Sequence, residues 1–244
     1  MEHPQTSSFD SLLEYIDRPP GYRKVLHLFG DLRRGTNILT REWDICIILD
    51  ACRADLFESV LETDWRPISA YSYERIVSID SATPTWMQKT FEKQDDLHNM
   101  KRLSYISANP NSTYLSDVDI ISDLDEVWRY AWDEKLGTVP PRAVTDRAIT
   151  HVRDNDDKVI VHYNQPHEPP LVRDRDGLRP ALPRTEGEMC GTSWFTPLLG
   201  RLPGEWTFPS TTGTTLFEKL RFGELSAAEC WTLYRETLRI ALVE

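Results

Sequence analysis

The chain has 244 residues, of which 40% are hydrophobic, and a formal net charge of −11 at pH 7. This length and composition suit one α/β domain with a sizeable core and argue against a wholly disordered chain. The acidic balance argues against a nucleic-acid backbone as the main partner, because that interaction needs clustered Lys and Arg.

The sequence favours a cytoplasmic protein. No apolar stretch approaches the roughly 20 residues that a membrane span needs, and the N-terminus lacks the pattern of a secretory signal. The four cysteines show no C-x-x-C spacing, which favours free thiols over a zinc site or a disulfide framework. Only 7 of the 28 basic residues are lysines, a balance that would suit a high-salt cytoplasm.

The first elements predict an arm followed by the start of a sheet. Residues 8–34 read as two short amphipathic helices, so residues 1–40 are expected to form a helical arm and 41–244 the main domain. The run "DICIIL" (44–49) predicts a strand that is buried on both faces. The segment "ADLFESVLE" (54–62) has helical spacing.

Helices and strands are expected to alternate along the rest of the domain. Strands are predicted at 75–79, 103–108 and 158–163, and helices from Pro84 onward, at 123–134 and at 140–153. Residues 168–215 have little periodicity and predict a loop-rich insertion. In the closing helix, Ser226 and Glu229 have the spacing of a capping box.

This alternation predicts a mainly parallel sheet with helices on both faces. Ligands bind such sheets beyond the carboxyl ends of the strands. Three polar segments fall at such ends, namely "LDACRAD", "IDSATP" and "HYNQPHEPP". Three such coincidences indicate a single site.

Asp50 ends the first buried strand, where a carboxylate is costly unless it is paired or binds a cation. It is therefore a candidate metal ligand. The alternatives are a salt bridge to Arg53 or capping of the following helix. Arg53 itself could contact a phosphate or lock the loop, and Asp55 suits the first turn of a helix.

Ser81 and Thr83 lie at the start of a predicted helix, whose free N–H groups and positive dipole end favour anions. A hydroxyl there can act as a nucleophile when a metal lowers its pKa. The alternative role is plain N-capping, which is the better interpretation for Thr83, directly before Pro84. Ser81 lies further out and is the freer to react.

His167 follows the last predicted strand and lies between two proline-flanked segments, "NQP" and "EPP". That rigid frame would fix an imidazole for contact with a metal or an oxyanion. The alternative is an exposed loop histidine. His162, inside the strand, reads as a core or face residue with its hydrogen bonds satisfied.

Four segments carry a resemblance to a known family: "WDICIILDACRADLF", "DSATPTWMQKTF", "DEVWRYAWDEKLGTVPPRAVTDRAI" and "VIVHYNQPHEPP". In that order they resemble sulfatase-like hydrolases of the alkaline phosphatase superfamily, most of all a branch common in salt-loving archaea. The resemblance runs from about residue 9 to the end. The stretch from Asp125 to Ile149 is the most specific to the branch.

The resemblance implies an alkaline phosphatase-like fold and hydrolysis of phosphate or sulfate esters through a covalent intermediate. It assigns Asp50 to a divalent metal (Zn, Ca, Mn or Mg), Ser81 or else Thr83 to the nucleophile, and His167 to the substrate anion or metal. Arg53 is a candidate substrate contact. The sulfatase pattern C-x-P-x-R is absent, which favours phosphoryl transfer. The acceptor could be water or an alcohol on a glycan or lipid head group.

The sequence departs from the family in one respect. Family members continue into a strand that ends in Asp-His-Gly and supplies further metal ligands, whereas this sequence has no Asp-His pair. Asp50 and Ser81 alone would give a metal two ligands, fewer than catalytic sites use. Whether the chain is an enzyme stays open: the alternatives are a truncated non-catalytic homologue that binds a ligand or partner, and one half of a split enzyme whose second chain completes the sheet.

Overall fold

The computed structural model describes residues 35–61, 73–92, 102–167, 169–182, 216–221 and 223–244. Its main element is a four-stranded sheet in which every neighbouring pair is parallel. The strands are β1 (Ile45–Leu49), β2 (Leu103–Ser107), β3 (Ile121–Glu126) and β4 (Lys158–Tyr163). Their order across the sheet is β1-β4-β2-β3. The predicted α/β class with a mainly parallel sheet is therefore confirmed.

The described helices follow the alternation that the sequence indicated. They are α1 (Ala54–Leu61), α2 (Thr83–Phe91), α3 (Trp128–Ala131), α4 (Pro141–Asp154), α5 (Leu216–Arg221) and α6 (Ala227–Val243). Two short 3-10 helices span Ile38–Thr40 and Pro110–Leu115. Within the described part of the chain, no helix has the length and apolar character that crossing a membrane requires.

The sheet is covered by a helix on each face. Side chains alternate between faces along a strand, so Val159 and Val161 of β4 point to one side, where they pack with Val144 of α4. Ile160, between them, points to the other side and packs with Met87 of α2. Every residue of the central strand β2 is buried, as expected for a strand with a helix on each face.

Two predicted elements between residues 73 and 134 are wrong. The region 123–134 was expected to be helical, but Ile121–Glu126 forms strand β3, and only the short helix α3 follows it. Pairing with β2 supplies the backbone hydrogen bonds of this segment, and tertiary pairing overrides a weak local helix signal. The region 75–79 was expected to be a strand, but only Ser78 forms a bridge, to Thr36.

The predicted loop-rich insertion begins with regular structure. Leu171–Asp174 (β5) and Gly177–Pro180 (β6) form an antiparallel hairpin. Its turn is stabilised by Asp174, whose side chain accepts the N–H of Asp176, and by Gly177 at φ +123°. The expectations for residues 1–34, for residues 183–215 and for Cys190 lie outside the described residues. Of the other cysteines, Cys46 and Cys52 are free thiols.

The closing helix α6 has the predicted capping box. The hydroxyl of Ser226 accepts the N–H of Glu229, and the carboxylate of Glu229 accepts the N–H of Ser226 at 2.8 Å. Further along, Leu238 of α6 is fully buried against Leu56 and Val60 of α1. This contact fixes α1, and with it the turn that follows β1.

Candidate functional site

Asp50 lies directly after β1, at the carboxyl edge of the sheet. Its backbone N–H donates to the carbonyl of Tyr163 at 3.1 Å, which extends the pairing of β1 with β4 by one residue. Ala51, next in the chain, has φ +60° and turns the backbone away from the sheet. The Asp50 side chain therefore remains at the strand end, where the sequence predicted it.

The carboxylate of Asp50 accepts hydrogen bonds from two other segments. The hydroxyl of Thr83 lies 3.1 Å from one oxygen and 3.3 Å from the other. The side-chain amide of Asn109 donates to Oδ2 at 2.6 Å. These contacts join the ends of β1 and β2 to the N-terminus of α2, so the cost of burying this carboxylate is offset by polar partners.

Thr83 is the first residue of α2, and Pro84 follows it in the first turn. Ala82 precedes the helix and offers no side chain as a cap. The N–H groups of Thr83 and Thr85 have no acceptor within the described residues. The helix N-terminus therefore presents free donors and the positive end of the helix dipole beside Asp50.

The loop before α2 is held by Asp80. Its carboxylate accepts the N–H groups of Ser81 (2.7 Å) and Ala82 (3.0 Å) and the hydroxyl of Thr85 (2.7 Å), and it pairs with Lys89 at 2.9 Å. Burial raises the pKa of Asp80, but these contacts outweigh burial and leave the pKa below its ordinary value of 3.8. Asp80 is therefore an ionised anchor for this loop.

The two candidate nucleophiles differ in what they contact. Ser81, the first choice from the sequence, is exposed, and its hydroxyl makes no hydrogen bond to Asp50. Thr83, the second choice, makes that bond. The capping role that the sequence favoured for Thr83 is absent, because its hydroxyl donates to Asp50. The geometry thus favours Thr83 as the reactive hydroxyl.

Asn109 is a site residue that the sequence analysis missed. It follows β2 by two residues, and its Oδ1 accepts the N–H of Asn111 at 2.9 Å, which caps the 3-10 helix that begins at Pro110. The cap fixes the amide so that its Nδ2 faces Asp50. A polar residue just after a fully buried strand, at the same edge as Asp50, was the signal that could have identified it.

His167 reaches the site through its backbone. Its N–H donates to the carbonyl of Asp50 at 3.1 Å and to that of Asn164 at 2.8 Å, while its side chain is exposed. The three polar segments predicted to meet therefore do meet: Asp50, Thr83 and His167 belong to one edge of the sheet. What the imidazole of His167 would bind stays a prediction.

Arg53 is held by its neighbour. Its guanidinium forms a bidentate pair with Asp55, at 2.9 Å from Nε and 2.6 Å from Nη2. Asp55 also accepts the N–H of Leu56 in the first turn of α1. This geometry matches the loop-locking alternative for Arg53 and the first-turn role for Asp55.

His162 and Tyr105 form a buried pair beneath the site. Nδ1 of His162 lies 2.7 Å from the Tyr105 hydroxyl, and both side chains are inaccessible to solvent. Nε2 of His162 is buried and has no hydrogen-bond partner among the residues that the structure describes. The expectation of a fully satisfied core histidine is therefore wrong for one of its two nitrogens.

Burial governs the ionisation of this pair. It lowers the pKa of His162, and the nearby charge of Asp50 opposes that shift while His167 adds to it. Burial, together with the charges of Asp50 and Cys46, raises the pKa of Tyr105 well above its ordinary value. Both side chains are thus neutral near pH 7, and both are within electrostatic range of Asp50.

The described residues do not fit the divalent-metal site that the resemblance implies. Across that part of the chain, no group of three or more His, Cys, Asp or Glu side chains is arranged to hold a metal ion. The one carboxylate at the predicted position, that of Asp50, is already engaged by Thr83 and Asn109. Among the described residues, the reactive groups that meet at this edge are the hydroxyl of Thr83 and the carboxylate of Asp50.

Comparison of the chain with protein-family models, with curated proteins and with solved structures gives no match.

Proposed function

We propose that the chain hydrolyses or transfers phosphate or sulfate esters, with the hydroxyl of Thr83 as the nucleophile. The observation that carries this proposal is the hydrogen bond from Thr83 to Asp50, 3.1 Å long, at the carboxyl edge of a parallel sheet. A hydroxyl becomes a useful nucleophile when an adjacent base accepts its proton. The resemblance to sulfatase-like hydrolases points to the same class of reaction.

In the proposed reaction, Asp50 accepts the proton of Thr83 as the Thr83 oxygen bonds to phosphorus or sulfur. The bond to the ester oxygen breaks, and the leaving alcohol takes a proton from Asp50. Water, or an acceptor alcohol, then attacks the threonine ester with Asp50 again taking the proton. The bond from phosphorus or sulfur to the Thr83 oxygen breaks, and Asp50 returns the proton to that oxygen, which restores the hydroxyl of Thr83. Asn109 holds the carboxylate in place through its 2.6 Å hydrogen bond.

The free N–H groups of Thr83 and Thr85 at the start of α2 would contact the anionic oxygens of the ester. Such donors stabilise charge that develops in the transition state. The missing C-x-P-x-R pattern favours phosphate over sulfate esters. A glycan or lipid head group is the proposed source of the alcohol when the group is transferred.

The test uses the full chain with 4-nitrophenyl phosphate, bis(4-nitrophenyl) phosphate and 4-nitrophenyl sulfate, each with EDTA and with Zn²⁺, Ca²⁺, Mn²⁺ or Mg²⁺ added. Thr83→Ala is expected to lower kcat on the order of a thousandfold or more, because it removes the nucleophile. Ser81→Ala is the matched control and should keep the wild-type rate. In rapidly quenched samples, peptide mass spectrometry should find the transferred group on Thr83.

Two results would contradict this assignment. One is wild-type turnover in Thr83→Ala. The other is a wild-type chain that turns over none of the three esters under any of the metal conditions.

A second candidate function is favoured by the position of β1. This strand lies at the edge of the sheet, and its side chains Ile45 and Ile47 are 48% and 61% exposed. An edge strand with exposed apolar residues is a surface that another strand can cover. A non-catalytic homologue, or one half of a two-chain enzyme, would bind its partner through this surface of β1. Ile47→Lys would then abolish co-purification of the partner without changing the fold.

A further inference from the structure

The buried pair of His162 and Tyr105 lies on the same face of the sheet as Asp50. Ile48 of β1 is the register partner of His162 and packs in the cluster beneath α2. Asp50 follows Ile48 by two residues and continues the pairing with β4, so its side chain returns to that face. The charge of Asp50 acts on both His162 and Tyr105.

Helix α2 packs against His162 and Tyr105 through two aromatic side chains. The ring of Trp86 meets the imidazole of His162 edge-on, with 6.1 Å between centroids, and Phe91 meets Tyr105 in the same way at 6.0 Å. The same helix carries Thr83. His162 therefore lies on β4, next to the strand that Asp50 follows, and beneath the helix that begins with Thr83.

The number of polar groups left without a hydrogen-bond partner selects one tautomer of His162. If Nδ1 carried the proton, it would donate to Tyr105, and both the Tyr105 hydroxyl proton and Nε2 would lack partners. If the Tyr105 hydroxyl donates to Nδ1, only the Nε2–H group lacks one. A buried donor or acceptor without a partner is costly, so the second arrangement, which leaves one such group instead of two, is favoured.

We propose that His162 is a positioning residue for Asp50: Tyr105 holds it as the Nε2–H tautomer, and this donor lies on the face of the sheet to which the Asp50 side chain returns. The donor dipole keeps the carboxylate oriented toward the hydroxyl of Thr83. An apolar side chain would fill the same space without leaving Nε2 unpaired in the core. The kinetic part of this inference rests on the proposed function, whereas its structural part does not.

Two substitutions separate the two ring nitrogens. The amide nitrogen of His162→Gln extends to about the position of Nε2 and keeps a donor there. The amide of His162→Asn extends only to the position of Nδ1, so it keeps a partner for Tyr105 and loses the donor. Comparison of these two variants therefore distinguishes a positioning role of His162 from a role that only fills space in the core.

The first measurement is nuclear magnetic resonance on the full chain with ¹⁵N-labelled histidine, with His162 assigned by difference against His162→Gln. Long-range ¹H–¹⁵N correlations are expected to show a proton on Nε2 and none on Nδ1 near pH 7. With ¹³C-labelled aspartate, the Asp50 carboxyl resonance, assigned with Asp50→Asn, should shift in His162→Asn and stay near its wild-type position in His162→Gln. A proton on Nδ1, a doubly protonated ring, or equal effects of both variants would overturn the inference.

The second measurement is kinetic and uses the ester on which the wild type is active. His162→Asn should lower kcat by about ten- to a hundredfold with little change in KM, by analogy with the residues that orient metal ligands, whose loss has an effect of that size. His162→Gln should restore most of the loss, which a purely structural role would not produce. Were the wild type inactive on every ester, the proposed function would fail, and the resonance experiment would still decide the role of His162.

Discussion

The Thr83 hydroxyl lies 3.1 Å from the Asp50 carboxylate, although the two residues are 33 positions apart in the sequence. One follows an edge strand and the other begins a helix on one face of the sheet. This contact brings a candidate nucleophile and a candidate base together without any local motif that joins them. The neighbouring residues Asn109, Asp80 and Gly35 determine how firmly the pair is held, and each gives a prediction.

Asn109→Ala is expected to destabilise the fold and weaken the site. It removes the 2.6 Å donor to Asp50 and the cap on the 3-10 helix, and leaving a carboxylate less well bonded costs about 1–3 kcal/mol. Chemical unfolding in urea measures this loss. The matched control is Ser116→Ala, at an exposed position just after the same 3-10 helix, which should change stability by less than about 0.5 kcal/mol. Equal stabilities of the two variants would contradict the role given to Asn109.

Asp80→Asn should cost stability at neutral pH and not in acid. The pKa of Asp80 is lowered in the folded state, so its ionised form stabilises the protein above the ordinary value of 3.8, and this contribution is lost as the pH falls through the folded-state pKa. At pH 7 the loss of charge should cost about 1.5–3 kcal/mol, since hydrogen bonds to charged groups have that magnitude.

The measurement for Asp80 is urea unfolding of wild type and variant between pH 2 and pH 7. Asp117→Asn, at an exposed position, is the control and should leave the curve unchanged. A wild-type-to-variant difference that keeps its pH 7 size down to pH 2 would show that charge is not the cause.

The thiols of Cys46 and Cys52 should react slowly in the folded protein. Burial raises the pKa of Cys46 to about 11, and burial together with the charge of Asp55 raises the pKa of Cys52 to about 12. Because the thiolate is the reactive form, iodoacetamide at pH 8 should modify both far more slowly than after unfolding in urea. Peptide mass spectrometry measures each site. Rapid modification of Cys52 in the folded chain would indicate a thiolate beside the candidate site.

Gly35→Ala is expected to displace the segment that leads into α2. A Cβ at this position would lie 2.4 Å from Cα of Ile79 and 2.5 Å from the carbonyl of Ser78, and backbone atoms cannot move aside cheaply. Overpacking of this kind costs about 1–3 kcal/mol. Because Asp80 follows Ile79 directly, the rate on any ester substrate should fall as well.

The control for Gly35 is Gly223→Ala, which removes the same backbone freedom from the unfolded chain. Its Cβ would meet nothing within 4 Å, and only the backbone strain at φ +72° remains. Thermal unfolding should therefore show a larger loss for Gly35→Ala than for Gly223→Ala. A larger loss of stability for Gly223→Ala would mean that the backbone of residue 35 does not pack tightly against Ile79.

The sequence by itself determined the strongly patterned parts of this protein. The runs at 103–108 and 158–163 are strands because continuous apolar, β-branched segments of that length favour burial in a parallel sheet. The run at 44–49 is also a strand, but the predicted burial on both faces is wrong, because β1 is an edge strand that exposes Ile45 and Ile47. The polar residues after those strands indicated one shared edge, since parallel strands end on the same side. Asp50 was identifiable for that reason, and the capping box at Ser226 because its signal is local.

Only the tertiary structure decided which side chains meet at that edge. Ser81 and Thr83 both carry a hydroxyl close to the start of α2, so the sequence alone does not decide between them. In the structure, Asp80 accepts the N–H groups of Ser81 and Ala82, and the first helical turn then directs the hydroxyl of Thr83 toward Asp50. β3 became a strand because β2 offered it backbone partners. The unpaired Nε2 of His162 depends on contacts among three distant segments, and no local pattern encodes such contacts.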